Sequence, residues 1–415
     1  MNTSVRLQEL TLKAEDDLRP HFERIDRISH ENTNRVLDAF RDMRVSDAMF
    51  SAGSGYGYDD RGRDALDKIY AQVFGAEAAL VRHNMVSGTH ALAVALFGLL
   101  RPGDIMLSVT GAPYDTLESV IGITGKNGDG SLADFGVEYM QIGLTPSGID
   151  LEAVEEAICA LGERVKVVYV QRSKGYSERK TLRVSQIGAL AELVKRLSSA
   201  YVMVDNCYGE FVEAIEPTHV GADLIVGSLI KNPGGGMAEC GGYIAGSARA
   251  VELASYRLTS PGIGAEVGAT LGQNKNMFRG FFYAPHTVAQ ALKTAHFAAY
   301  IFAALGYATS PEYDEVRSDI IQAVRLGSPE RIIRFCRGIQ SASPVDSHLS
   351  PVPWDMPGYS SQVIMAAGAF VQGASIELSA DAPLREPYTV FFQGGLTYES
   401  GRIGILAAAR ALLDD

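Results

Sequence analysis

Two side chains of opposite charge follow consecutive apolar segments in the middle of the chain. Val202-Met203-Val204 precedes Asp205, and Leu224-Ile225-Val226-Gly227 precedes a glycine-rich turn that contains Lys231. Short apolar segments of this kind predict buried strands, and α/β proteins bind their ligands at the carboxyl ends of such strands. We therefore expect Asp205 and Lys231 to face one site at the same edge of a sheet.

The chemistry that this pair suggests is that of pyridoxal phosphate. A lysine at a strand end can act as a nucleophilic amine and form a Schiff base with an aldehyde. An anionic partner keeps the ring nitrogen of pyridoxal phosphate protonated, so that the ring can accept electrons from a substrate carbanion. Taken singly, Lys231 could be an exposed loop lysine and Asp205 could cap a turn; together, on consecutive strand ends, they favour the cofactor.

A third segment could hold the phosphate of this cofactor. Residues 84–91 form a small polar turn that opens directly into the helical segment 91–100. A helix N-terminus presents free N–H groups and the positive end of its dipole, so it can bind a phosphate without a lysine. Ser87, Gly88 and Thr89 are the candidates, although Ser-Gly-Thr is also a good N-cap sequence.

Two further candidates lie at predicted strand ends. Tyr114 follows the second predicted strand and could stack on a planar cofactor, or it could be a core aromatic. Arg172 lies in a basic loop, residues 171–177, after the fourth predicted strand. This loop could bind the phenolic oxygen of the cofactor or the carboxylate of a substrate, and a solvated charged loop is the alternative.

A polar loop also precedes the first predicted strand. Residues 51–63 are rich in glycine, tyrosine and charged side chains, and a helix with one apolar face follows them. The exposed aromatic and basic side chains could bind a phosphate or a carboxylate, or the segment could be a surface turn. The side chains concerned are Tyr56, Tyr58 and Arg61.

The length of the chain and the order of its predicted elements indicate two domains. A chain of 415 residues exceeds the usual size of a single hydrophobic core. Apolar strand candidates alternate with helical segments, which is typical of a mostly parallel sheet covered by helices on both faces. The large domain is therefore predicted as α/β, with seven strands at residues 78–81, 105–109, 137–141, 165–170, 201–204, 223–226 and 242–245.

The domain boundaries follow from the same pattern. Residues 1–50 carry apolar side chains at helical spacing, broken near Pro20, and predict a helical arm over the small domain or a second subunit. Residues 51–285 are assigned to the large, cofactor-binding domain, and 286–415 to a linking helix and a small α+β domain. The linking helix is predicted at 288–305, its start set by Pro285. Helices at 313–324, 331–339 and 398–413 and strands at 362–371, 375–378 and 388–393 are predicted beyond it.

Composition narrows the class of protein. The net charge of -12 argues against a nucleic-acid-binding protein, because phosphate contacts require a basic surface. The N-terminus lacks the apolar core of a signal peptide and the longest apolar segments are too short for a bilayer, so no membrane partner is expected. Four widely spaced cysteines without zinc-ligand spacing favour a cytoplasmic protein with no structural metal. Cys207 is expected near the site as a small apolar filler.

With these residues in place, the chain resembles fold type I pyridoxal-phosphate enzymes of the cystathionine/methionine lyase group. It is most similar to the branch described as an aluminium-resistance or methionine gamma-lyase-like family, over nearly the whole chain. The segments that carry the resemblance are Gly55-Tyr56-Gly57-Tyr58-Asp59-Asp60, Ser87-Gly88-Thr89-His90, Gln171-Arg172-Ser173-Lys174-Gly175-Tyr176, Val204-Asp205-Asn206-Cys207-Tyr208, Ser228-Leu229-Ile230-Lys231-Asn232-Pro233-Gly234-Gly235 and Gly394-Gly395-Leu396-Thr397-Tyr398-Glu399.

The resemblance implies a role for each of several residues. Lys231 would carry pyridoxal phosphate as a Schiff base and Asp205 would pair with its ring nitrogen, while Tyr114 would stack on the ring. The phosphate would be held by Gly88, Thr89 and Ser228. In such relatives a tyrosine and an arginine of the partner subunit complete the phosphate site, a part that Tyr56, Tyr58 or Arg61 could play here. An obligate homodimer with shared active sites follows, and dimers could pair into tetramers.

The sequence departs from this group at the substrate. Sulfur amino-acid lyases usually bind the substrate carboxylate with an arginine in a late Arg-x-Ser segment, which this chain lacks; Arg385 and Arg402 are the substitutes. The expected function is β- or γ-elimination of a carbon–sulfur bond in an amino acid, with Lys231 removing the Cα proton. Burial and the cofactor cation are expected to lower the pKa of Lys231. The alternatives are a transferase or aldolase on the same scaffold, and a non-catalytic protein that binds pyridoxal phosphate.

Overall fold

Alternating helices and strands build most of the chain, as the apolar pattern predicts. The computed structural model describes residues 3–356, 359 and 361–414, so residues 1 and 2 of the predicted arm and residues 357, 358, 360 and 415 of the predicted small domain lie outside the description. The helices are α1 (Thr3–Asp17), α2 (Arg19–Asp42), α3 (Arg61–Val73), α4 (Gly88–Leu99), α5 (Asp115–Ile121), α6 (Leu151–Leu161), α7 (Val184–Leu197), α8 (Ala248–Leu258), α9 (Asn274–Ala304), α10 (Pro329–Ser341) and α11 (Tyr398–Leu413).

The strands divide between a large sheet, a small sheet and a short hairpin. The large sheet contains β1 (Ala78–Arg82), β2 (Ile105–Ser108), β3 (Glu138–Gln141), β6 (Val165–Gln171), β7 (Tyr201–Asp205), β8 (Leu224–Ser228) and β9 (Gly242–Gly246). The hairpin is β4 (Leu144–Thr145) with β5 (Gly148–Ile149). The small sheet contains β10 (Ala308–Ser310), β11 (Gln322–Arg325), β12 (Val363–Ala366), β13 (Ser379–Pro383) and β14 (Thr389–Gln393).

The large sheet positions the candidate residues. All seven predicted strands are present, with small shifts at their ends, in the order β1-β9-β8-β7-β6-β2-β3. Strand β9 runs antiparallel to both of its neighbours, and the other pairings are parallel. Asp205 is aligned with Gln171 of β6 and Val226 of β8, so the carboxyl ends of three central strands meet at one edge. The predicted mostly parallel α/β domain is confirmed.

Helices cover both faces of this sheet, which explains why its central strands are apolar throughout. Val202 and Val204 of β7 belong to one hydrophobic core, which α2, α3, α7 and part of α9 complete. Met203, between them, points to the opposite face and belongs to a second core with α4, α5 and α8. Successive side chains of a strand point to opposite faces, so a strand buried on both sides needs apolar residues at every position.

The small domain is an antiparallel sheet packed on helices, as the α+β prediction requires. Its strands have the order β10-β11-β14-β13-β12, and α10, α11 and the end of α9 form a core with them. The N-terminal arm contacts both domains of its own chain, because Leu7, Ala14 and Leu18 join the small-domain core whereas Val36 and Ala39 join the large-domain core.

The start of the linking helix was predicted wrongly. Helix α9 begins at Asn274 and continues through Pro285, so the proposed boundary at residue 286 falls inside it. A proline inside a helix removes a backbone hydrogen bond and costs about 3 kcal/mol. Met277, Phe278 and Phe281 lie on one helical face and are buried in the large-domain core, and this burial outweighs the loss.

Two elements of the small domain also differ from the prediction. Residues 313–321 are irregular instead of helical, because buried side chains bond to distant backbone: Arg317 donates to the Ala295 carbonyl at 3.3 Å, and Asp319 accepts from the Lys174 N–H at 3.3 Å. Residues 375–378 are a turn region, and β13 begins only at Ser379. The other predicted elements, at 331–339, 363–366 within 362–371, 388–393 and 398–413, are present.

The backbone of α9 directly contacts the turn that follows Lys231. A Cβ atom at Gly280 would lie 2.2 Å from the Gly234 carbonyl oxygen. We predict that Gly280→Ala destabilises the protein by about 1–3 kcal/mol, since neither backbone can yield easily. The measurement is the midpoint of urea unfolding, followed by circular dichroism.

Gly404→Ala is the matched control for this substitution. Its Cβ would meet only the end of a flexible side chain, Leu378 Cδ2, at 3.0 Å. The gain in helix propensity, about 1 kcal/mol for alanine over glycine, offsets the small adjustment of that side chain. Equal unfolding midpoints for the two variants would contradict the proposed close contact of α9 with the turn.

Candidate active site

A cavity of about 240 Å³ lies at the carboxyl edge of the large sheet, where the small domain closes over it. A space of this size suits a small molecule rather than a polymer. The walls come from the ends of β6, β7 and β8, from the start of α4 and from residues 365–381 of the small domain. The predicted site residues that line it are Ser87, Gly88, Thr89, Tyr114, Asp205, Ser228 and Lys231.

Lys231 lies in the turn after β8, and a single turn of 3₁₀ helix follows it at Asn232–Gly234. The Asn232 side chain donates to the Glu210 carbonyl at 3.0 Å and thereby fixes the turn. The Nζ atom of Lys231 lies over the ring of Tyr208, 4.2 Å from its centroid. A ring face attracts a cation, so the amine is held in a defined position within the cavity.

The pKa of Lys231 reflects the groups around it. Burial disfavours the ammonium form, but Cys207, Tyr208, Asp205 and Glu210 around it outweigh this and raise the pKa of Lys231 in the polypeptide by itself. The predicted lowering of this pKa included the effect of the cofactor cation and stays a prediction; in the chain alone the acidic side chains around the amine have the larger effect. A cation placed beside Asp205 would act in the opposite direction.

Asp205 ends β7 and faces the cavity with its carboxylate held by two donors. The Cys207 N–H donates to Oδ1 at 3.1 Å, and the Tyr169 hydroxyl donates to Oδ2 at 3.4 Å. Burial raises the pKa of Asp205, and the charge of Lys231 together with these donors opposes the rise. The carboxylate is thus oriented by its neighbours and stabilised electrostatically by a lysine of the same cavity.

The N-terminus of α4 opens into the same cavity. Ser87 is the N-cap residue, and its Oγ accepts from the His90 N–H at 3.1 Å. A Cβ at Gly88 would lie 3.3 Å from Cys207 Sγ and 3.4 Å from Ser228 Cβ, so the start of the helix is adjacent to the ends of β7 and β8. The Thr89 hydroxyl lies 2.7 Å from that of Thr116. Backbone N–H groups at such a helix end suit a phosphate.

Tyr114 belongs to an aromatic wall of the cavity. Its hydroxyl lies 2.8 Å from the Tyr359 hydroxyl, and its ring centroid lies 5.7 Å from that of Tyr176. We call Tyr114, Tyr176 and Tyr359 the tyrosine cluster. Burial raises the pKa of Tyr114 well above its ordinary value, so its phenol is neutral at physiological pH.

Arg172 does not line the cavity. Gln171, the preceding residue, faces the cavity, and the alternation of a strand carries the next side chain away from it. The guanidinium is fully buried and donates to Asn206, Glu213 and Glu216 at 2.8, 2.9 and 3.1 Å. The prediction that Arg172 contacts the cofactor is therefore corrected. This side chain belongs to a buried ion network, whose carboxylates neutralise its charge.

The two substitute arginines also lie away from the cavity. Arg385 is exposed in the turn between β13 and β14. Arg402, on α11, forms an ion pair with Glu15 of the N-terminal arm. The structure thus does not bring Arg385 or Arg402 to the site, and among the described residues that line the cavity Lys231 is the one cation.

Tyr56, Tyr58 and Arg61 lie outside the cavity of their own chain. The rings of Tyr56 and Tyr58 are 73% and 63% exposed, with their centroids 5.6 Å apart. Arg63, which is buried, shapes this loop because its guanidinium donates to the carbonyls of Gly57 at 2.6 Å and Gly268 at 3.2 Å. The loop is held in place while its aromatic side chains project outward, and its role toward a partner subunit stays a prediction.

The structure adds functional candidates that sequence reasoning missed. Tyr208 contacts Lys231, and its hydroxyl accepts a hydrogen bond from the Ser375 hydroxyl at 2.9 Å. In the sequence, only its position three residues after Asp205 indicated that it could lie near the site. Asp381 of β13 also lines the cavity. Burial raises the pKa of Asp381 to about 6, while Gln393, Tyr176 and Lys231 oppose the rise. It had no local signal, because its neighbours come from distant parts of the chain.

The described part of the chain offers neither a metal site nor a membrane-spanning helix. Residues 3–356, 359 and 361–414 contain no group of three His, Cys, Asp or Glu side chains arranged to hold a metal ion. Within the same residues, none of the helices has the length and apolar character needed to cross a membrane.

The fold and the site together define the class of protein. The structure of the pyridoxal-5'-phosphate dependent protein YhfS from Escherichia coli shares this fold, with a TM-score of 0.63 over 93% of this chain and 97% of that one at 15% identity. The architecture is that of fold type I pyridoxal-phosphate enzymes. The predicted fold class is confirmed.

The family follows from closer matches. The family model described as Methionine gamma-lyase matches residues 7–413, so the chain belongs to the methionine gamma-lyase family. A carbon-sulfur lyase involved in aluminum resistance from Clostridium novyi NT is similar, with a TM-score of 0.94 and 50% identity over 98% of this chain and 96% of that one. A candidate cystathionine beta-lyase involved in aluminum resistance from Clostridium acetobutylicum has a TM-score of 0.95 and 47% identity, with the same coverage.

A curated relative extends this comparison to sequence. The uncharacterized protein YnbB of Bacillus subtilis (strain 168) is 51% identical over 409 residues, which cover 98% of this chain and 96% of the relative. The predicted resemblance to the cystathionine/methionine lyase group and its aluminium-resistance branch is confirmed. Membership of this family implies pyridoxal phosphate as the cofactor, and the named relatives support a carbon–sulfur lyase rather than a transferase, an aldolase or a non-catalytic binder.

The burial of Cys207 tests the geometry of the cavity. Burial and the adjacent Asp205 raise the pKa of the Cys207 thiol well above its ordinary value, whereas Cys159 is exposed. We predict that iodoacetamide at pH 8 alkylates Cys159 at least about tenfold faster than Cys207, because the thiolate is the reactive form. Peptide mass spectrometry measures both rates, and unfolding in urea should make them similar. Equal rates in the folded protein would contradict the burial of Cys207 beside a carboxylate.

Proposed function

We propose that the protein is a pyridoxal-phosphate-dependent carbon–sulfur lyase that cleaves a small sulfur-containing amino acid, with one molecule of water, into a thiol, ammonia and an α-keto acid. One observation carries this proposal: Lys231 and Asp205 line one small cavity together with the N-terminus of α4. An amine, a carboxylate and a helix end are the three groups that the aldehyde, the ring nitrogen and the phosphate of this cofactor require.

The residues of the cavity fit that cofactor. Lys231 would hold it covalently, Asp205 would pair with its ring nitrogen, and Gly88, Thr89 and Ser228 would hold its phosphate. When bound, pyridoxal phosphate supplies an electron sink for the electron pair left by removal of a substrate proton. Tyr114 stands in the aromatic wall near these groups and offers a ring face for stacking.

Lys231 is proposed to move the Cα proton of the substrate. Its acidic surroundings favour the ammonium form, which can return a proton. A cation beside Asp205 would cancel part of that effect and favour the neutral amine, which can accept one. Tyr208 contributes by keeping the amine against its ring face at 4.2 Å. The position of Lys231 is thus fixed, while its protonation responds to what is bound.

Removal of Lys231 tests the proposal directly. We predict that Lys231→Ala loses both the visible absorbance band of the bound cofactor and measurable thiol release from cystathionine or methionine, because no other lysine lines the described cavity. Lys68→Ala, which removes an exposed lysine of α3, is the control and should retain both. Full activity of Lys231→Ala would overturn the assignment.

We also propose a homodimer with shared active sites, in which the loop of Tyr56, Tyr58 and Arg61 completes the phosphate site of the partner. Tyr56 and Tyr58 are exposed and are not among the residues that line the cavity of their own chain, which supports this proposal. Pairing of dimers into tetramers is a further proposal. The four cysteines are free thiols, which supports a cytoplasmic enzyme.

A hybrid dimer shows whether Arg61 acts across the dimer interface or within its own chain. Arg61→Ala and Lys231→Ala chains are co-expressed with different affinity tags, and the hybrid is isolated through both. If Arg61 acts across the interface, the hybrid contains one complete site and should show about half of the wild-type activity. Each parental homodimer should be nearly inactive. An inactive hybrid would show that Arg61 acts within its own chain.

A further inference from the structure

The small domain contributes a buried carboxylate to the cavity, and one of its oxygens is left without a partner. Asp381 is 9% exposed and lines the cavity from β13. The Gln393 amide donates to its Oδ2 at 2.7 Å. Its Oδ1 is buried and has no hydrogen-bond partner among the described residues. A buried acceptor that is left unsatisfied is costly, so a ligand is expected to supply the missing donor.

Aromatic rings surround this carboxylate. Asp381 is paired across the sheet with Phe391, whose ring centroid lies 5.2 Å from that of Tyr176. The ring centroid of Tyr176 also lies 5.8 Å from that of Tyr359. Tyr176 favours the ionised form of Asp381 through a side-chain hydrogen bond to the carboxylate, and Oδ1 is the oxygen that stays unsatisfied. Aromatic rings together with a carboxylate form a setting that recognises an ammonium group.

The other charges of the cavity point to the same kind of ligand. Its described lining contains two carboxylates, Asp205 and Asp381, and one cation, Lys231. Under the proposed function, Lys231 holds the cofactor and Asp205 pairs with it, so neither is available to neutralise Asp381. A buried carboxylate whose hydrogen-bond donors are all neutral keeps an uncompensated charge, and a cation from the substrate removes that cost.

We propose that Asp381, with Tyr176 and Tyr359, forms a subsite that selects amino-acid thioethers with a second ammonium group beyond the sulfur. This inference rests on the proposed function and narrows its substrate class. Cystathionine belongs to this class, whereas methionine, which ends in an uncharged methyl group, does not. Asp381 determines specificity here and takes no part in moving the Cα proton.

The test uses matched thioethers that differ only in an ammonium or a methyl group at the distal end. S-Aminoethylcysteine and S-propylcysteine report β-elimination; S-aminoethylhomocysteine and S-propylhomocysteine report γ-elimination. The measurement is the ratio of kcat/KM for the cationic and neutral members of each pair, with the cofactor-loaded wild type, Asp381→Asn and Glu330→Gln. Glu330 is an exposed carboxylate of α10, so its neutralisation controls for overall charge.

We expect the wild type to prefer the cationic thioether by about tenfold or more, and Asp381→Asn to lower this ratio by about 30-fold or more, since the ammonium loses its buried partner. Glu330→Gln should keep the wild-type ratio. A wild-type ratio at or below one, or an unchanged ratio in folded Asp381→Asn, overturns the subsite while the lyase function stands. If Asp381→Asn does not fold, the wild-type ratio alone decides.

A different result would reject the proposed function instead. If the loaded wild type releases no thiol from any of the four compounds, the lyase proposal fails. Equilibrium binding by calorimetry then tests the subsite by itself. Tighter binding of the aminoethyl compounds that is lost in Asp381→Asn supports it, and equal binding of cationic and neutral compounds overturns it.

Discussion

The burial of opposite charges on Lys231 and Asp205 at one end of the large sheet is the constraint on which the rest of the site depends. Each charge would be unfavourable alone in the interior, and each stabilises the other. The parallel pairing of β7 and β8 determines where the two charged residues lie. Asp205 at the end of β7 is aligned with Val226 of β8, and the turn that contains Lys231 follows β8 at the same edge. The register of two neighbouring strands therefore places both groups at the same edge of the sheet.

A second set of charges behind Asp205 keeps its turn in place. Asn206 both accepts from Arg172 and donates to Glu216 at 3.0 Å, and Glu216 accepts from the Phe211 N–H at 2.8 Å. Because alternate residues face opposite ways, Asp205 points to the cavity while Asn206 points to this buried ion network. Removing one member would leave an unpaired buried charge, which is typically more costly than never having the pair. Arg172 therefore acts on the site through the backbone that presents Asp205.

The sequence was sufficient for the large sheet and for the centre of the site, and insufficient where tertiary contacts override local pattern. Continuous apolar segments predicted the strands because both faces of the sheet are buried, and the strand ends indicated Asp205, Lys231 and Ser87, which line one cavity. Pro285 suggested a helix start, but burial of the preceding turns extends α9 through it. Asp381 gave no signal, because its importance arises from rings and an amide that the chain brings to it from elsewhere.

The two domains form different walls of the cavity. Tyr208 connects them, since its ring lies against Lys231 and its hydroxyl accepts from Ser375 of the small domain. Part of the cavity wall is formed by small-domain residues, and that domain has a hydrophobic core of its own. Substitutions in that wall can change the shape of the cavity without altering the pair of opposite charges on Lys231 and Asp205. The missing Arg-x-Ser segment is consistent with this division, because substrate contacts are the part of such a site that can vary while the lysine and the carboxylate stay fixed.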